Sequence, residues 1–318
     1  MRDSKPLVSM ITYCYNGGRF VHRYFEGILA QTYQNIELIF FNNGSEDNTQ
    51  AVAEMYKEKL EARGIQMNLI QYETNQCTCE LKQKGFRLAH GAYIFGCDSD
   101  DVIHPDYIDK MAGYLQAHPE KGIVFCQLNA IREETGEQIG IYKIKPNTAP
   151  GAAFEDMLHA RNTLFTAISY MMSRIYLEKL LPDMNFYIST FGENYQIQLP
   201  FLYENLQGYI EEPLGDYYVR IDSYSGKLKK DPMKMVNAFK GQEQSICATL
   251  NSIQPENRAA YEMIAVKRLR RERFYASLQV KNAALRKECW QELIDVDGAS
   301  PKDKLVHWLR PLYNLKKR

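Results

Sequence analysis

The chain has 318 residues, 45% hydrophobic and 25% charged, and its 39 basic and 39 acidic residues cancel. That length and composition suit one or two domains with a full core. Zero net charge argues against nucleic-acid binding, and no apolar run approaches the roughly 18 residues of a membrane span.

The predicted elements alternate from the start. Val8 to Tyr13 reads as a first strand, reached so soon that no room is left for a signal peptide, and it runs into the loop signal Asn16-Gly17-Gly18. Ile36 to Phe41 reads as a second strand and is followed by Asn42-Asn43-Gly44-Ser45. Helical spacing through Val52, Met55, Tyr56 and Leu60 closes at Gly64. Met67 to Tyr72 suggests a third strand, and Leu81 to His90 a helix ending at Gly91. The next apolar run, Ala92 to Cys97, reads as a buried strand that ends in Asp98-Ser99-Asp100-Asp101. This order predicts an α/β fold with a mostly parallel sheet, whose ligands lie beyond the carboxyl ends of the strands.

The acidic run is the most informative feature. Side chains alternate along a strand, so Asp98 and Asp100 share a face if the chain stays extended that far. Three carboxylates at a strand mouth repel one another unless a cation lies between them. Mg²⁺ is commonly held by one or two carboxylates together with substrate phosphates. The pattern therefore suggests a metal–diphosphate site, although alone it equally fits a calcium loop or a solvated turn.

Taken together, four blocks resemble the family 2 glycosyltransferases of GT-A fold. They are Val8 to Gly17, Gln31 to Ile39, Asn42 to Thr49, and Gly91 to Asp101 with Pro105-Asp106-Tyr107. The resemblance covers about the first two-thirds of the chain. It implies transfer of a sugar, with inversion, from a nucleotide-activated donor, UDP-linked, to an acceptor hydroxyl in cell-surface polysaccharide synthesis. It implies Mg²⁺ or Mn²⁺ between the donor diphosphate and Asp98 and Asp100. It also implies donor contacts from Thr12, Tyr13, Asn16, Asn43, Lys82, Asp98 and Arg220.

Several positions depart from the family pattern. Asn42-Asn43 stands where two acids are common; Asn43 still offers a carbonyl and an amide to a base, and the alternative is a simple Asn-Gly turn. Lys82 stands near a usual arginine, either as a charge for the diphosphate or as an exposed helix lysine. The family's Glu-Asp pair is Glu193-Asn194 here, and an amide takes no proton at neutral pH. That leaves Glu193 as the expected general base, against the alternative of a carboxylate placed only for the helix dipole. Asp222 is the reserve. Arg220, in Tyr217 to Ser225, is expected to stabilise the leaving diphosphate, or else to form a surface ion pair. A nucleotide-sugar-binding protein without turnover, or transfer to polyprenyl phosphate, remains the alternative.

Charge is unevenly spread. Residues 226–318 hold 20 Lys/Arg against 10 Asp/Glu, and residues 1–225 carry the opposite excess. We therefore expect a glycosyltransferase domain over 1–225 and a basic helical extension over 226–318. Its cluster Lys267-Arg268, Arg270-Arg271 and Arg273 is expected to dock on the acidic half. The end from Leu305 through Trp308 to Arg318 either docks likewise or touches an anionic membrane surface. The seven cysteines are scattered, which suits a reducing cytoplasm, with a peripheral position at the inner membrane face. Glu133 to Glu137 reads as a hairpin turn and Pro146 to Gly151 as a loop on the acceptor side.

Overall fold

The computed structural model describes residues 5–315, and the side chains up to residue 309 except that of Tyr224. The chain divides into two compact units. One comprises residues 1–188 and 197–220, the other residues 189–196 and 221–318.

The first unit is built on one nine-stranded sheet. Strands β1 (Val8–Cys14), β2 (Ile36–Asn43), β3 (Gln66–Tyr72) and β4 (Tyr93–Gly96) pair in parallel, in the order β3-β2-β1-β4. Beyond β4 the sheet becomes mixed. Strand β8 (Tyr170–Ser173) lies antiparallel to both β4 and β6 (Ile123–Arg132). The long β9 (Gln207–Val219) runs parallel to β6, and the short β5 (Val102–Ile103) closes the edge. Strand β7 (Gln138–Tyr142) pairs with β6 as the expected hairpin around Glu133 to Glu137.

Alternation along β1 sets the two layers. Val8, Met10 and Cys14 join a core with Tyr24, Phe25 and Ile28 of helix α1 (Val21–Leu29) and Val52, Tyr56 and Leu60 of helix α2 (Thr49–Ala62). Their apolar positions recur at helical spacing, so each helix buries one stripe. Phe25 stacks on Tyr56 with centroids 4.8 Å apart. Ile11 and Tyr13 face the opposite layer, under helix α3 (Thr78–Leu88). A Cβ at Gly85 of α3 would lie 2.7 Å from Ile11, so only glycine lets this helix approach the strand. Helix α4 (Tyr107–Ala117) buries Tyr107, Ile108, Met111 and Leu115. Two shorter helices, α5 (Ala152–Leu158) and α6 (Arg174–Leu180), lie in the connections, and α7 (Glu193–Tyr203) precedes β9.

The second unit is helical: α8 (Tyr224–Lys230), α9 (Pro232–Ile253), α10 (Arg258–Ser277), α11 (Ala283–Asp295) and α12 (Pro301–Leu315). Ser223, Asp231 and Asn282 cap α8, α9 and α11 by accepting from backbone amides of the first turn. Val236, Phe274, Leu285, Cys289 and Leu293 form its core, and Trp290 stacks on His307 at 4.1 Å. The described cysteines are all free thiols.

Candidate active site

The carboxyl ends of β1, β2 and β4 carry the loops around residues 15–18, 44–48 and 97–101. The first two loops are locked together by short polar links. The Glu46 amide donates to Asn16 Oδ1 at 2.9 Å, and the Asn16 amide to Ser45 Oγ at 2.9 Å. Asp47 accepts from the Gly18 amide at 2.9 Å and from the Thr49 hydroxyl and amide. Burial opposes ionisation of Asp47, but these bonds outweigh it and hold its carboxyl below the usual range. A Cβ on Gly18 would fall 1.9 Å from Asn48 Oδ1, so any side chain there would have to displace Asn48 from the loop contact. Asn16 adopts the left-handed conformation (φ 51°) that brings its side chain to the neighbouring loop.

Asn42 and Asn43 are buried and have separate tasks. Asn42 donates to Gln50 Oε1 at 2.8 Å and accepts from the Ser45 amide at 3.2 Å. Asn43 donates to the Gln76 carbonyl at 3.1 Å and accepts from the Gln76 amide at 2.8 Å. Asn43 thereby ties the end of β2 to the loop that enters α3, and each of its polar atoms keeps capacity for a second bond. Thr12 is fully buried, with its hydroxyl 2.5 Å from Tyr24 Oη. Even-numbered residues of β1 face α1, so its side chain lies in the core, away from a ligand on the loops.

The acidic run differs from its simplest reading. Strand β4 ends at Gly96, and the Asp101 amide closes a turn by donating to the Asp98 carbonyl at 3.1 Å. Shared-face alternation therefore stops before Asp98. The turn separates three like charges: Asp98 is exposed, Asp100 half-buried and Asp101 buried. Asp100 Oδ2 pairs with Arg220 at 2.5 Å. Asp101 Oδ1 accepts from the Tyr218 amide at 3.1 Å, while its Oδ2 is buried with no hydrogen-bond partner. Burial, followed by the charges of Asp100 and Asp98, raises the Asp101 pKa well above the usual carboxylate range.

A small, partly enclosed cleft lies beside this turn. Tyr13, Lys82, Phe86, Asp98, Tyr170 and Met172 are among its lining residues. It brings three predicted residues together: Tyr13, whose ring stacks on Phe41 at 5.3 Å, Lys82 of α3, and Asp98. Asp100 and Arg220 form the adjoining pair, and the Arg220 guanidinium lies 4.1 Å from the Phe20 ring centre. Tyr15, 51% exposed just beyond β1, is an aromatic face that the sequence reading passed over. Exposure was its only signal, and that is not visible in one sequence. Glu193 is the first residue of α7 and follows Gly192, whose φ is 88°. Asp222 is exposed, next to the cap of α8. Both belong to the second unit.

The oxygens of Asp98 and Asp100 are of the kind that suits a hard divalent cation, and beneath them one buried oxygen of Asp101 has no hydrogen-bond partner. Among the described residues no three-residue His, Cys, Asp or Glu cage is gathered, so such a cation would draw its remaining ligands from water or substrate phosphates.

Three members of the basic cluster of α10 are paired with carboxylates inside its own unit. Arg270 donates to Glu243 at 3.1 Å, Arg271 to Asp303 at 3.0 Å, and Arg273 to Glu292 and Glu288. Of the terminal segment, Leu305, Trp308 and Leu309 are exposed on α12. The side chains from 310 onward, and residues 316–318 altogether, lie outside the described residues. No described helix is long and apolar enough to cross a membrane.

Comparison with known proteins bears on this site. The model of glycosyl transferase family 2 matches residues 9–180. EpsH of Bacillus subtilis, named as a glycosyltransferase, is 36% identical over 132 residues, which are 42% of this chain and 36% of that one. The chain thus spans little more than a third of that relative. The structure of S. aureus TarS 1–349 in complex with UDP-GlcNAc is similar with a TM-score of 0.56 at 13% identity, over 92% of this chain and 89% of the other. The mannosyltransferase PcManGT from Pyrobaculum calidifontis, solved with GDP-Man and Mn²⁺, gives 0.52 at 15% identity, over 91% and 80%. At these identities the two structures bear on the fold alone, and they agree with a GT-A architecture.

Proposed function

The chain belongs to glycosyl transferase family 2, and from that premise we propose that it moves a sugar from a nucleotide-diphosphate donor, UDP-linked, to an acceptor hydroxyl with inversion. The observation that carries this reading is the cleft at the ends of β1 and β4, where Tyr13, Lys82 and Asp98 meet beside Asp100. The UDP-GlcNAc, GDP-Man and Mn²⁺ bound by the two solved neighbours support the donor class and the metal.

Asp98 and Asp100 would hold Mg²⁺ or Mn²⁺. Such an ion, when bound, neutralises the donor diphosphate and stabilises the charge that develops as it leaves. Lys82 adds positive charge from α3, and Arg220 does so from the end of β9. Asn16 and Asn43 hold the loops against which a base would rest, and Tyr15 offers it a stacking face. Glu193 is the proposed base that takes the acceptor proton, with Asp222 in reserve; Asn194 has no such capacity.

The acceptor is proposed to be a glycan or lipid-linked intermediate of cell-surface polysaccharide synthesis, met at the cytoplasmic face of a membrane. The exposed Leu305, Trp308 and Leu309, with nearby Lys302 and Lys304, support weak peripheral contact there. A domain boundary near 225 remains part of this proposal.

A melting-temperature screen of UDP- and GDP-sugars with Mn²⁺ tests donor binding, because a ligand that binds only the folded state raises its stability by mass action. Incubation of the best donor, radiolabelled in its sugar, then tests turnover. Metal-dependent stabilisation followed by label release or transfer is the expected result. Stabilisation without any turnover would favour the binding-only alternative that Asn194 suggests, and no stabilisation by any donor would overturn the reading.

A further inference from the structure

Arg23 of α1 is a charged group that no motif marks, yet it is held from every side. Its guanidinium carbon stands 3.6 Å from the ring centre of Tyr218 and 5.2 Å from that of Phe20. Nε and Nη2 donate to the backbone carbonyl of Asp100 at 3.2 and 2.7 Å. Nη1 and Nη2 also engage the two carboxylate oxygens of Glu133 at 2.8 and 2.6 Å. Glu133 opens the turn between β6 and β7, and its side chain is only 9% exposed. The Arg23 hydrogen bond comes first among the causes that hold the Glu133 carboxyl below its usual range.

The grip falls on the weakest point of the acidic turn. Residues 98–101 are closed by one backbone bond, Asp101 amide to Asp98 carbonyl, and crowd the carboxylates of Asp98 and Asp100 above the buried Asp101 carboxyl. Such a turn tends to splay when nothing holds its middle. Arg23 donates twice to the carbonyl of Asp100, and its charge lies beside the carboxylates without occupying any of their oxygens. Arg220 differs, because it pairs with the Asp100 carboxylate itself. Only a planar fork reaches the Asp100 carbonyl and both Glu133 oxygens together while stacked on Tyr218.

We propose that Arg23, fixed by Glu133, is the positioning residue of the acidic turn, setting the direction in which Asp98 and Asp100 present oxygens to a divalent cation. The proposal rests on the reading of that turn as the metal–donor site. The alternative is an ion pair that merely ties α1 to the β6–β7 hairpin.

Full-length wild type, Arg23→Lys and Glu133→Gln are titrated with Mn²⁺ in the presence of UDP, and free Mn²⁺ is followed by its paramagnetic resonance signal. Melting temperature and UDP binding in chelator are recorded beside it. Loss of a partner that orients metal ligands typically weakens metal affinity about 10- to 100-fold. We expect a weakening of that size in both variants, with the melting temperature and metal-free UDP binding nearly kept. An unchanged Mn²⁺ constant, whether or not the melting temperature falls, would overturn the positioning role and leave only the tie. Failure of the wild type to take up Mn²⁺ with UDP would overturn the metal–donor reading, and this inference with it.

Discussion

The molecule holds two clusters of arginine and carboxylate that look alike in composition and differ in arrangement. In the helical unit, Arg270, Arg271 and Arg273 each meet carboxylates, and Asp303 is also satisfied by Ser300 and Tyr275. Burial opposes the Asp303 charge, yet these bonds keep its carboxyl below the usual range. At the end of β4, Arg220 pairs with the Asp100 carboxylate, Arg23 holds the Asp100 carbonyl, and one buried Asp101 oxygen has no hydrogen-bond partner. In the helical unit Glu243, Asp303, Glu288 and Glu292 each meet an arginine, and the buried atom without a hydrogen-bond partner is a donor, Arg273 Nε. The balanced cluster is scaffold. The unbalanced one leaves acidic groups at a strand mouth, where the proposed cation and donor diphosphate would complete it.

The largest break in this comparison comes from the unbalanced side. Asp100→Ala is expected to abolish Mn²⁺-dependent UDP-sugar binding because it removes a ligand, and to lower the urea midpoint modestly, since the lost pair with Arg220 is only partly offset by relieved repulsion. Glu193→Gln is expected to keep donor affinity and lower kcat by about 10²-fold or more, the scale of a positioned base. Near-normal kcat in that variant would exclude Glu193 and turn attention to Asp222.

The balanced side should respond the opposite way. Arg273, buried with its guanidinium on Glu292 and Glu288, ties α10 to α11. Breaking a fully buried pair costs roughly 3–5 kcal/mol. Because Glu288 is 54% and Glu292 29% exposed, we expect Arg273→Met to cost less, about 1–2 kcal/mol in urea unfolding, with UDP binding untouched. A change in donor affinity of the kind seen in Asp100→Ala would erase the distinction between the clusters.

Much of the first unit is legible in the sequence because its signals are local. Apolar runs with Gly and Asn at their ends locate β1 to β4, and helical spacing locates α2 and α3, while α1 was passed over. The C-terminal helices follow from composition. Of the expected site residues, motif and geometry coincide at Tyr13, Lys82 and Asp98, which line one cleft. Alternation places Thr12 with Val8 and Met10 on the α1 face, whereas its expected donor contact came from the family resemblance alone. Arg23 and Glu133 stand 110 positions apart, and no pattern in a single chain announces such a pair. The basic run of α10 invited a partner outside itself, since Glu243, Glu292 and Asp303 are distant in sequence and close in space. The bend after Gly96 was hidden because an Asp-rich segment reads equally as strand end or turn.

The smallest predicted effect lies at the far side of the acidic turn. His104 Nε2 bonds to Asp216 at 2.9 Å, which chiefly raises the histidine pKa above its ordinary 6.5. Burial opposes the charge on Asp216, but His104 and Asn129 outweigh it and lower its pKa. The histidine contribution is therefore fully present below pH 6.5 and fades as pH rises through the folded value. The aspartate contribution is present above its unfolded pKa and lost as pH falls through the folded one. With side chains 28% and 24% exposed, the pair is worth on the order of 0.5 kcal/mol. His104→Gln should lower the melting temperature at pH 6 and lose that deficit by pH 9. An equal deficit at both would remove the charge from the explanation.

The account rests on the acidic turn holding a divalent cation against a donor diphosphate. Anomalous scattering at the manganese edge, from crystals grown with UDP and Mn²⁺, tests that most directly. The account predicts a single strong peak within bonding distance of oxygens from Asp98 or Asp100 and from the UDP diphosphate. A well-ordered UDP in the cleft with no manganese beside it, or manganese bound away from these aspartates, would contradict it.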